Sequence, residues 1–338
     1  MRIFGNIVAV FAMAAGASSA AISQEKVTFA TATGSVAYIT YYAAEEMGFF
    51  SKVGIKPEMI LTGSAPKAIA GLMSGDIDVV MPAPNQVIKA RHRGLPIVLF
   101  GAVLTELNTN VVFSKDWAAK HSITDDSSIP DKIAALKGIR LAINAPGSIT
   151  DSIARYFASR GGLDPDRDMT LVGIPNQSNA MMLAMEQGRV DGFVIAPPDT
   201  TIAAHKLGAI VAFNMSAGKV PDLAGYFHIG LGATEKFVRT EKAIKVAQAF
   251  QMTLDAIKDP KTTNFVRDKV RNAYYANVEP EIFADVWKDI VVSVPANLAM
   301  DDKLFDKVVA LEKVTSPEVD TSMIAGSYTN LVADKVKR

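Results

Sequence analysis

The sequence predicts an α/β protein of two similar lobes. Each lobe should be a mostly parallel sheet flanked by helices, and two hinge strands should join the lobes. Three observations predict it. An internal repeat recurs at a constant offset of 113 residues, marked by Gly75 and Gly188 and by Asp78 and Asp191. Strand-like and helix-like segments alternate within each copy, the pattern of βαβ crossovers and a parallel sheet. A helical C-terminal third has no counterpart in the repeat.

In the first copy, Val27–Ala32 reads as a strand, Gly34–Ser35 opens an amphipathic helix, and Met59–Leu61 is a second strand. The helix that follows ends in Ala70-Gly-Leu-Met-Ser-Gly75-Asp-Ile-Asp78, before a third strand. Asn85–His92 is a third helix, and the apolar run Ile97–Val103 a fourth strand. The second copy repeats this order. Its strands are Ile139–Ile143, Met169–Val172, the segment after Asp191, and Ile210–Phe213. Gly147–Ser148 opens its first helix, Leu183–Gly188 closes its second, and Asp199–Lys206 is its third. Asn108–Phe113 lies between the copies and Tyr226–Gly232 follows the second, so these two segments are the expected hinge. Helices are then expected over Glu235–Lys258, Thr262–Asn277, Pro280–Ser293 and from Asp302 onward, returning to pack on lobe one. The expected division is 26–107 plus 229–338 for lobe one and 108–228 for lobe two.

Composition narrows the function. The chain has 338 residues, with 35 basic and 35 acidic side chains, so a basic nucleic-acid footprint is not supported. It has no Cys, which excludes disulfides, thiolate metal sites and a Cys nucleophile. The four histidines are too scattered to form a local HxxxH metal pair. GxGxxG, Walker A, HExxH and GxSxG are all absent, so no catalytic residue, metal or cofactor is expected. At the N-terminus, Arg2, the apolar run Ile7–Ala15 and the small residues Gly16–Ala21 have the layout of a cleavable signal peptide over residues 1–21. The nine-residue run is too short for a membrane span, which takes roughly 20 residues.

Ligands of open parallel sheets bind beyond the carboxyl ends of the strands. Those ends are rich in Ser, Thr, Asn, Gly and Pro and nearly devoid of charge. Several also open helices, so backbone N–H groups and positive helix ends converge on one space, which suits a small anion. The candidate ligand contacts are Thr33, Ser35, Tyr38, Ser64, Pro84, Asn85, Gly147, Ser148, Thr150, Asn176, Ser178, Pro197 and His228. Ser35, Ser64 and Ser148 stand equally well as helix caps, and Ser148-Ile-Thr-Asp151 fits a capping box. Asp199 reads as an N-cap, His228 as a structural histidine or a ligand contact, and Lys89–Arg93 as a solvated helix end.

Ala44-Glu-Glu-Met-Gly-Phe-Phe50 with Gly54-Ile55, and Gly75-Asp-Ile-Asp78, resemble motifs of the nitrate/sulfonate/taurine-type and thiamine-pyrimidine-precursor-type substrate-binding proteins of ABC importers. Leu136-Lys-Gly138 and the Gly147-Ser148 loop extend the resemblance over nearly all of the chain after residue 21. It implies a type II periplasmic-binding-protein fold that closes on a small molecule and delivers it to a membrane permease driven by ATPase subunits. It also implies a periplasmic, cofactor-free, monomeric protein. A sulfonate, carboxylate or similar anion is the favoured ligand, with a neutral aromatic or pyrimidine-type ligand as the second choice. The same fold also accommodates a menaquinone-pathway-like enzyme and a sensory binding protein feeding a membrane receptor.

Overall fold

A computed structural model describes residues 24–174, 178–314 and 316–336. The first copy of the repeat runs β1 (Glu25–Thr31), α1 (Ile39–Glu46), α2 (Phe49–Lys52), β2 (Ile55–Leu61), α3 (Ala65–Ser74), β3 (Val79–Val80), α4 (Pro84–His92) and β4 (Ile97–Leu104). β5 (Asn110–Phe113), α5 (Lys115–Lys120) and α6 (Ile129–Ala134) lead to the second copy, which runs β6 (Arg140–Ile143), α7 (Ile149–Arg160), β7 (Thr170–Gly173), α8 (Ser178–Glu186), β8 (Gly192–Ile195), α9 (Asp199–Leu207) and β9 (Ile210–Phe213). The chain finishes with β10 (Ile229–Thr234), α10 (Glu241–Lys258), α11 (Thr263–Tyr274), α12 (Pro280–Ser293), α13 (Lys303–Glu312) and α14 (Ala333–Val336).

Two five-stranded sheets result, ordered β2-β1-β3-β10-β4 and β7-β6-β8-β5-β9. The orders are the same once β10 and β5 are matched. Both of these strands run antiparallel to their neighbours. Each lobe therefore supplies four parallel strands and receives one antiparallel strand on the chain's passage to or from the other lobe. That exchange is the hinge.

The repeated glycine and aspartate have one physical role in both copies. Gly75 (φ 89°) and Gly188 (φ 65°) adopt left-handed backbone as the chain leaves α3 and α8. Asp78 Oδ2 then accepts the Thr28 N–H at 2.9 Å, and Asp191 Oδ2 accepts the Arg140 N–H at 2.9 Å. Each carboxylate thus fixes the start of the next strand against the first strand of its sheet. Asp191 is further held by the Arg140 guanidinium, which pulls its carboxyl below the usual range against the opposing cost of burial.

Every residue of β4 is buried although β4 ends its sheet. Residues 327–329 cover that edge, with Leu99 N–H bonding Ser327 O at 2.9 Å and Thr329 N–H bonding Leu99 O at 2.8 Å. The C-terminal helices reach beyond the first lobe. α10 and α11 pack on α1, but α12 also packs on α9, and α13 lies against both α4 and α7. Lys206–Glu279 (2.8 Å) and His205–Asp285 (2.9 Å) tie α9 to the start and middle of the α12 region. A buried network joins the hinge to α12. Asn110 Nδ2 donates to Ser216 Oγ at 2.9 Å, Ser216 Oγ to Asp289 at 2.8 Å, and Ser293 Oγ to Ser216 O at 2.8 Å. Among the described residues, no helix is long and apolar enough to cross a membrane.

Candidate functional site

The carboxyl ends of both parallel sets face a cavity of about 1000 Å³ between the lobes. Ten of the thirteen candidate contacts line it: Thr33, Ser35, Tyr38, Ser64, Asn85, Gly147, Ser148, Thr150, Pro197 and His228. Pro84 is buried in the first turn of α4, and its neighbours Ala83 and Asn85 line the cavity in its place. Asn176 lies outside the described residues, as does the side chain of Ser178.

The serines cap helices at the cavity wall. Ser35 Oγ accepts the Ala37 N–H at 3.0 Å, Ser64 Oγ the Lys67 N–H at 3.4 Å, and Ser148 Oγ the Asp151 N–H at 3.4 Å. Capping and lining coexist because a helix that starts at a strand's carboxyl end turns its cap toward the cleft. Around Ser148 the hydroxyls are linked: Ser148 and Thr150 are 2.8 Å apart, Ser148 donates to Ala145 O at 2.7 Å, and Thr150 accepts the Asn144 N–H at 2.9 Å. Gly147 N–H donates to Asp151 Oδ2 at 2.7 Å, and Arg155 pairs with the same carboxylate at 2.9 Å, so Asp151 is consumed by the loop and the helix. The first-turn amides of Ile149 and Thr150 have no carbonyl within α7 to bond.

The remaining candidates form the floor and one wall. Tyr38 is buried, with its hydroxyl beside the backbone of Ala32, and burial raises its pKa above the usual phenol range. His228 directly precedes β10, and its N–H bonds Leu104 O at 2.9 Å. Burial pushes its imidazole pKa down to about 4, so the ring is neutral at physiological pH, and Nδ1 has no partner among the described residues. Asn108 stands two residues before β5; it is 1% exposed, and neither end of its amide is bonded among the described residues.

Asn108, Asn144, Lys89 and Glu312 are cavity residues that sequence reasoning missed. Asn144 could have been found, since it is the first residue after the predicted strand. Lys89, expected at a solvated helix end, instead lines the cavity and pairs with Glu312. Glu312 also accepts Asn85 Nδ2 at 2.7 Å. Lys89 is the one cationic side chain among the described lining residues, against the carboxylates of Asp199 and Glu312. No cluster of three or more His, Asp or Glu side chains able to hold a metal occurs among the described residues.

Two lobes with exchanged hinge strands and a polar cleft between them define the fold of periplasmic binding proteins. The aliphatic sulphonate binding protein SsuA of Escherichia coli has this fold, with a TM-score of 0.63 at 17% identity, covering 90% of this chain and 92% of SsuA. The chain belongs to the NMT1-like family, whose model matches residues 21–264. It is 26% identical over 216 residues to the nitrate import ATP-binding protein NrtC of Synechocystis sp., covering 60% of this chain and 30% of NrtC. It is 27% identical over 181 residues to the nitrate/nitrite binding protein NrtA of Nostoc sp., covering 49% of this chain and 39% of NrtA. The match thus spans about a third of the length of these curated relatives.

Proposed function

We propose that this protein is the exported, periplasmic solute-binding component of an ABC importer, capturing a small organic anion between its lobes for a membrane permease and its ATPase. The observation that carries the reading is the cavity itself, whose walls come from strand ends of both lobes and whose floor is the pair of crossovers. A ligand touching both walls gains its full contacts only when the lobes are closed, so it shifts the population toward the closed form. Capped helix starts around Ser35, Ser64 and Ser148 direct positive ends at the cavity. The names of the relatives, nitrate importer components and a sulphonate binder, agree with an anion. A neutral ligand with a hydrogen-bonding edge is the second reading, favoured by the unbonded Asn108 amide and by the Lys89–Glu312 pairing.

A thermal-shift panel on ligand-stripped protein tests the reading, using nitrate, alkyl and aryl sulfonates, taurine, carboxylates and pyrimidines. A ligand at a hundred times its Kd adds about 2.7 kcal/mol of stability and raises Tm measurably. Stabilisation confined to anions supports the proposal. Stabilisation by neutral rings alone supports the second reading, and no shift with any compound rejects both.

A further inference from the structure

Glu312 comes to the cleft from the far end of the chain. It is the last residue of α13, 223 positions from Lys89, yet its carboxylate takes the Lys89 ammonium on one oxygen and the Asn85 amide on the other. Lys89 and Asn85 are four residues apart on α4, so they share a face of that helix. α4 begins at the cleft, and its N-cap residue Ala83 supplies no side-chain cap. An ammonium and an amide presented from one helix face at the cleft are what a carboxylate or sulfonate requires.

The occupant is poorly suited to its own helix. A carboxylate at a helix C-terminus faces the negative end of the macrodipole. The pairing with α4 therefore holds Glu312 in place against α13's own field. α13 itself is anchored elsewhere, by the Lys307 ammonium on Ala224 O and by Asp302, which accepts the Tyr328 hydroxyl at 2.9 Å. Displacing Glu312 would leave these anchors intact.

Resting on the anion-binding reading above, we propose that Lys89 and Asn85 form the anion subsite of the cleft, with Glu312 as its resident occupant. The carboxylate or sulfonate of an incoming ligand displaces Glu312, which thereby sets a threshold affinity that only a well-fitting anion exceeds.

Calorimetry on the full chain with benzoate, benzenesulfonate and methanesulfonate, and with the neutral counterparts benzamide and benzenesulfonamide, tests this. Glu312→Gln is expected to bind at least one of the anions tenfold or more tighter than the parent, with neutral probes unchanged. Glu312→Asp keeps the charge but shortens its reach; it guards against misfolding of the first variant and should give an intermediate gain. The gain should vanish in the double variant Lys89→Met/Glu312→Gln. Anion affinities that are unchanged or weakened in both Glu312 variants overturn the proposal, as does a gain that survives loss of Lys89. If neutral probes bind while no anion binds any variant, the subsite falls and the solute-binding role stands. If no probe binds any variant, both fall.

Discussion

His228 makes the folded protein refuse a proton that the unfolded chain accepts. Its imidazole pKa moves from 6.5 to about 4, and burial is the cause. Well above pH 6.5 the ring is neutral in both states and contributes nothing to the pH dependence. Below that, the unfolded chain binds the proton first, so stability falls with pH until the folded pKa is passed. Integrated over that window, the loss attributable to this residue between pH 7 and pH 5 is about 2 kcal/mol, rising to roughly 3 kcal/mol below pH 4. Other groups titrate in the same range. Burial raises the pKa of Glu106 and Asp289, so these two contribute with the opposite sign, their stabilisation being present at low pH and lost as pH rises. A double difference removes them. Urea unfolding of the parent and of His228→Gln at pH 7 and pH 5 gives four free energies, and the parent should lose about 2 kcal/mol more than the variant across that interval. Equal losses would show that the ring titrates normally and so is not buried in the cleft floor as described.

Three further outcomes follow from particular contacts. A Cβ on Gly192 would lie 2.2 Å from Val112 O, so Gly192→Ala should break the β5–β8 pairing and cost about 3 kcal/mol or more; Gly173→Ala, with nothing within 4 Å, should melt near the parent. Asp289→Ala strips one of the two acceptors offered to the Ser216 hydroxyl, leaving Asn214 Oδ1 at 3.0 Å, and should lower the unfolding free energy by about 1 kcal/mol in urea, whereas Asp289→Asn should recover part of it. Ser148→Ala removes the α7 cap and should lower stability by about 1 kcal/mol while weakening ligand binding. A fully stable Ser148→Ala protein with reduced affinity would assign that hydroxyl to the ligand alone.

The repeat was legible because its punctuation is local chemistry. A left-handed glycine and a carboxylate that accepts an amide of the sheet's first strand leave the same residues at the same spacing in both lobes. The strand-end cleft was legible for a similar reason, since hydroxyl caps mark where helices start. The exchange of β5 and β10 shows in sequence only as two short apolar segments, because strand pairing between residues far apart in the chain leaves no periodic trace. The Lys89–Glu312 contact is less legible still. Nothing near Lys89 distinguishes a solvated cation from one that meets a carboxylate 223 positions away.

The exchanged strands also fix where the hinge can move. β5 is bonded on both sides within the second sheet and β10 on both sides within the first, so neither can take up a change of backbone angle without breaking a ladder. The change must fall on the segments between the strands, residues 105–109 from β4 to β5 and residues 214–228 from β9 to β10. Asn108 and His228 stand on those segments and line the cavity floor. A ligand bonded there presses on the backbone that sets the angle between the lobes. If the proposed ligand bonds these two residues, substitutions at either should change affinity and the open–closed balance together.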